Sequence, residues 1–75
     1  MKLNDTVVLK LDLPNDGLFS GDVGAIVEVY SDDAVEIEFV TGDGHTQALV
    51  TLAKKDLRLV SGMDILSVRT LDVAA

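Results

Sequence analysis

The sequence predicts an all-β domain: a small, five-stranded, partly open barrel with a C-terminal extension. Three observations predict it. Apolar residues recur at a spacing of two, the strand period, in five short runs. Turn chemistry separates the runs. The chain has 75 residues, enough for one domain only. A chain this short buries roughly 60% of its unfolded surface, and wrapping its sheet spares it from covering two open faces.

The first run, Asp5 to Leu11, sets Val7, Leu9 and Leu11 on one face and Thr6, Val8 and Lys10 on the other. Leu13-Pro14-Asn15-Asp16-Gly17 then opens a long loop to about Val23. Pro14 has no N–H for a ladder, and the loop glycines reach backbone angles closed to other residues. From Ala25 to Tyr30, Ala25, Val27 and Val29 oppose Ile26, Glu28 and Tyr30. From Ala34 to Val40, Val35, Ile37 and Phe39 point one way and Glu36 and Glu38 the other. Ser31-Asp32-Asp33 joins these two runs as a tight hairpin. Thr41-Gly42-Asp43-Gly44 makes the next, with the Asp-Gly pair that hairpin turns favour. Thr46 to Leu52 is the fourth run. Ala53 to Asp56 reads as one helical turn, and Leu57 to Val60 as the fifth strand. Strand, long loop, three-strand meander, single helical turn and strand is the order of SH3-like barrels.

The barrel therefore spans 1–60 and an appendage spans 61–75. In the appendage, Ile65, Leu66, Val68, Leu71 and Val73 form a new apolar set. Ile65, Val68 and Leu71 fall at helical spacing, whereas Leu71 and Val73 fall at strand spacing, so periodicity leaves helix and strand open. A tail this apolar is expected to pack, either on its own barrel or on a neighbouring subunit. The second alternative makes these five residues an oligomerisation surface and the protein a homo-oligomer.

Charge narrows the partners. The net charge is −7, and between Leu11 and Ala53 nine acids occur without a single Lys or Arg. With 48% apolar residues the chain is too hydrophobic for a disordered acidic segment. A folded surface of one sign speaks against nucleic acid, because phosphate backbones require clustered cations. Only Lys54, Lys55 and Arg58 cluster. No apolar run approaches the roughly 20 residues of a membrane helix. The start lacks the basic end and apolar stretch of a secretory signal, and cysteine is absent, which fits a reducing compartment. The expected location is the cytoplasm.

With a three-residue hairpin at Ser31-Asp32-Asp33, Tyr30 faces Ala34, Glu28 faces Glu36 and Ile26 faces Glu38. Like charges directly opposite each other destabilise a sheet. One reading is a solvated outer face. The other gathers Ile26, Glu28, Tyr30, Glu36 and Glu38 into a patch that awaits a basic protein partner. Phe19, in the long loop, reads either as a partner anchor or as a lid on the open barrel end.

No constellation points to catalysis. An outer sheet face gives paired carboxylates no pocket to separate their pKa values. The Asp43-Gly44-His45 turn offers two metal ligands without a third or fourth at useful spacing. Asp32-Asp33 lacks the alternating ligands and Gly of a calcium loop. Gly21 and Gly24 lack the Lys and Ser/Thr of a phosphate loop. The serines have no elbow motif around them. The expectation is a non-enzymatic module without a cofactor.

Asp12-Leu13-Pro14, Gly17-Leu18, Gly21-Asp22-Val23-Gly24-Ala25-Ile26-Val27-Glu28-Val29, Glu36-Ile37-Glu38-Phe39 and Ala48-Leu49-Val50-Thr51-Leu52 together resemble a bacterial family, the domain-of-unknown-function family 4926. The resemblance covers about residues 3 to 60 and leaves the tail outside. It carries over no catalytic residue. It implies a neighbour of toxin–antitoxin or mobile-cassette genes, hence an antitoxin-like or regulatory interaction module. The alternative is a peripheral structural subunit of a larger complex. The segment from Gly21 to Val29 is also similar to the glycine turn of KOW-type domains and of a small photosystem I barrel subunit, but this chain departs from their basic surfaces.

Overall fold

In the computed structural model, which describes residues 1–71, the strands are β1 (Thr6–Leu9), β2 (Val23–Val29), β3 (Ala34–Val40), β4 (Thr46–Ala53) and β5 (Leu57–Leu59). They form one antiparallel sheet in the order β4-β3-β2-β1-β5. The expected five strands and helical turn are all present, the turn as a single 3-10 turn at Lys54–Asp56. The sheet is not closed into a barrel. β4 and β5 are its two edges, and among the described residues no ladder joins them. With only three residues, β5 offers β4 little to pair with.

The core lies on one face of the sheet. Val7 and Leu9 of β1, Ile26 of β2, Val35, Ile37 and Phe39 of β3 and Leu57 of β5 converge there. The long loop supplies the cover: Leu18 is 2% exposed and belongs to the same cluster. Its position is fixed by a short hairpin-like closure, in which Leu13 and Leu18 exchange backbone hydrogen bonds of 2.8 and 3.1 Å around the Pro14–Asp16 helical turn. Gly17 ends that turn at φ 70°, a left-handed conformation that an L side chain resists. Gly24 has a different reason. A Cβ there would lie 2.6 Å from Ile37 Cγ2 and 3.0 Å from the Glu38 carbonyl oxygen, so β2 passes too close to β3 for any larger residue.

The β2–β3 register corrects one sequence expectation. Near the hairpin it is as expected: Glu28 faces Glu36, and the Tyr30 N–H donates to the Ala34 carbonyl at 3.0 Å. Further on, the register shifts between Ile26 and Glu28, so that Ile26 faces Ile37 and Ala25 faces Glu38. Val27 is the extra residue of a β-bulge. Strict alternation puts Ile26 on the outer face with Glu28. The bulge instead turns Ile26 into the core, where it is 0% exposed. Ile26 is therefore a core residue and cannot contact a partner.

Residues 61–71 contain neither helix nor strand. Ser61 to Asp64 form a turn in which the Asp64 carboxylate accepts the Ser61 N–H at 2.7 Å and a paired contact from Arg58 at 2.9 and 3.0 Å.

The bulge separates two neighbouring aliphatic side chains energetically. Ile26→Ala is expected to cost about 2–5 kcal/mol, as for a core truncation. Val27→Ala, at a site 37% exposed, should stay within about 1 kcal/mol. Urea denaturation of both variants checks this; equal costs would contradict the register.

Candidate protein-interaction surfaces

The outer face of the sheet carries the predicted glutamates. β3 presents Glu36 and Glu38 away from the core because Val35, Ile37 and Phe39 take the inner positions. The hairpin register sets Glu28 of β2 directly opposite Glu36, and the bulge beyond it turns Ile26 inward. From the other side, β4 sets Thr51 opposite Glu36 and Leu49 opposite Glu38. Glu38 is engaged by the Thr46 hydroxyl, which donates to it at 2.6 Å. Tyr30 stands exposed beside this group. The Glu36 carboxylate, with a smaller contribution from Glu28, stabilises the neutral phenol and raises its pKa above the ordinary value of 10.0. Sequence reasoning found Glu28, Glu36, Glu38 and Tyr30 but took Ile26 as their apolar companion. The aliphatic neighbour on this face is Leu49, 56% exposed. Its signal was the β3–β4 register, which sequence alone left open.

A second surface lies at the long loop. Phe19 remains 40% exposed, while its neighbour Leu18 serves as the lid. Asp22, two residues before Gly24, accepts the Phe19 N–H at 2.8 Å and so closes the loop on itself. The tail reaches this loop through Arg69. Its guanidinium donates to both Asp22 oxygens, at 2.7 and 2.6 Å, and to the Gly17 carbonyl at 2.8 Å. It also stacks 5.0 Å from the centre of the Phe19 ring. Arg69 holds the Asp22 carboxyl below its ordinary pKa, against the opposing effect of partial burial. Behind the contact runs a cleft of about 580 Å³, walled by Leu18, Val23, Phe39 and Val40 on one side and by residues 67–71 on the other.

The predicted oligomerisation residues divide. Ile65 is 93%, Leu66 66% and Val68 100% exposed. Leu71 is half-buried at the cleft. Val73 lies outside the described residues. Arg69, which sequence reasoning passed over, is the residue that docks the segment.

The turn after β3 is structural. The Asp43 carboxylate accepts from the Thr41 hydroxyl and the His45 backbone, and pairs with His45 Nδ1 at 2.8 Å. These contacts, Thr41 first, lower its pKa.

Tyr30 is the one tyrosine in the chain, so its ionisation is directly visible. Glu36→Gln is expected to bring its pKa down towards 10.0, read as phenolate absorbance during an alkaline titration; an unchanged curve would place the hydroxyl elsewhere. The two arginine contacts predict acid sensitivity. Asp22 is shifted below 3.8, and Asp64 to about 2. A carboxylate with a depressed folded pKa contributes stability that is complete above the unfolded value and is lost as pH falls through the folded one. The Arg69 Nε–H resonance should therefore keep its docked position through the ordinary carboxylate range and lose it only at lower pH.

Neither a curated protein nor a solved structure matches the chain. A family model does, over residues 3–59, a span that takes in the whole sheet, the long loop and both glutamate-bearing strands but stops before the tail. The chain belongs to that family, the domain of unknown function DUF4926.

Proposed function

We propose that the protein is a non-enzymatic interaction module that recognises a basic protein partner through the outer face of β2, β3 and β4. The observation that supports this reading is the pairing of Glu28 directly opposite Glu36, with Glu38 two residues along the same strand. Such a pair costs the sheet stability. A cationic partner recovers that cost, because it converts repulsion within the face into attraction across an interface. Tyr30 and Leu49 add exposed aromatic and aliphatic surface beside the charge, the mixture that interface cores use. An antitoxin-like or regulatory role in the cytoplasm is consistent with this chemistry: an acidic face can mask a basic protein whose own target is nucleic acid. Association through the tail belongs to the same proposal, supported by the exposure of Ile65, Leu66 and Val68.

Two measurements test the face. Glu28→Gln relieves the cross-strand repulsion and is expected to raise stability by about 0.2–1 kcal/mol while weakening partner binding. Triple reversal of Glu28, Glu36 and Glu38 to Lys should abolish retention of one defined basic protein from the source cells. If the reversed and native proteins retain the same partners at every salt concentration, the reading fails.

A further inference from the structure

The geometry points to an arginine-recognition site on the long loop, occupied in this chain by its own Arg69 and open to an arginine in an extended segment of another protein. Three chemistries converge within residues 17–22. The Asp22 carboxylate takes the guanidinium fork with both oxygens, the Gly17 carbonyl takes a further N–H, and the Phe19 ring offers its face. This set selects arginine over lysine, because an ammonium has neither the planar fork nor the stacking face.

The receptor is built by the body of the protein. Asp22 is fixed by the Phe19 N–H at 2.8 Å, and its own carbonyl accepts the Leu9 N–H at 2.8 Å. Gly21, at φ 97°, donates to the Leu9 carbonyl at 2.8 Å. Leu18, between Gly17 and Phe19, is anchored in the core. None of these contacts involves the tail. The tail's other holds are the Arg58–Asp64 contact at its start and Leu71, half-buried at the cleft. Among the described residues, the backbone of 65–71 makes no hydrogen bond to the sheet, and Val68 beside Arg69 is fully exposed. A segment whose hydrogen bonds to the loop all come from one side chain, in a site built without it, behaves as a tethered ligand. The family boundary falls in the same place: Gly17, Phe19 and Asp22 lie within the matched residues 3–59 and Arg69 lies outside. The site uses none of the three glutamates, so it stands or falls apart from the acidic face.

The test uses the full chain, its Arg69→Ala variant and a capped peptide with the sequence of residues 66–71, Leu-Ser-Val-Arg-Thr-Leu. A site whose own strap is docked nine-tenths of the time binds a competitor about tenfold more weakly than the same site left empty. Arg69→Ala is therefore expected to bind the peptide about tenfold more tightly than the native chain, with amide shifts at Phe19 and Asp22 in NMR titration. Adding Asp22→Asn, or replacing the peptide's arginine with lysine, should remove that binding. Circular dichroism establishes that each variant is folded; Arg69→Lys, which keeps the charge and loses the fork, stands in should the alanine variant unfold. Failure of the folded variant to bind the peptide, or binding indifferent to Asp22→Asn, would overturn the site. So would a native dimer that dissociates on Arg69→Ala, since Arg69 would then belong to a second copy.

Discussion

Ile26 must point inward and Glu28 outward, although an even spacing on one strand puts both on the same face. The bulge at Val27 resolves this conflict, and much of the molecule depends on it. The core has one side only, so each strand has to deliver its apolar positions to a single cluster. Without the extra residue β2 either exposes Ile26 or buries a glutamate, and an unpaired buried carboxylate is far costlier than a disturbed ladder. Gly24 belongs to the same solution. At Gly24 the chain has dispensed with a side chain whose Cβ would collide with Ile37. Glu28 thereby keeps the outward position opposite Glu36 that the hairpin register gives it.

The acids then divide by role. Asp12 and Asp22 accept backbone N–H groups of the long loop, Asp5 that of Lys2, and Asp43 organises the turn after β3. These are short-range constraints that shape the backbone. Glu28 accepts only the N–H of its own neighbour Val29, at 3.3 Å, Glu36 engages the Tyr30 hydroxyl, and Glu38 is held by Thr46. A net charge of −7 is thus distributed between scaffold and surface. Asp22 takes part in both, because the oxygen that accepts the Phe19 N–H also accepts from Arg69.

Much of this was legible in the sequence. Period-two patterning located all five strands, and the Ser31-Asp32-Asp33 and Asp43-Gly44 turns fixed the hairpins. Val35, Ile37 and Phe39 were placed correctly on the inner face because nothing interrupts β3. Alternation failed at Ile26, since a bulge leaves no mark in the count of apolar residues. The partly open, all-β five-stranded architecture is as expected, with β4 and β5 left as unpaired edges. The tail was illegible for another reason. Its apolar residues suggested packing by hydrophobic contact, whereas its anchor is an arginine whose three partners stand 47 to 52 residues earlier in the chain. No local pattern encodes a contact at that separation.

The two electrostatic surfaces also differ in range. Glu28, Glu36 and Glu38 act collectively through solvent, where salt screens charge beyond about 8–10 Å, so they favour encounter with any cation. The Asp22 site acts at hydrogen-bond distance and depends on the fork geometry, the Gly17 carbonyl and the Phe19 ring together. A surface of the first kind sets how fast a basic protein arrives; one of the second kind discriminates which side chain stays. A −7 protein that kept its loop site empty would invite loose association with many cationic segments. On the proposed reading, filling it with Arg69 raises the threshold: a partner must present an arginine well enough placed to displace one already in position.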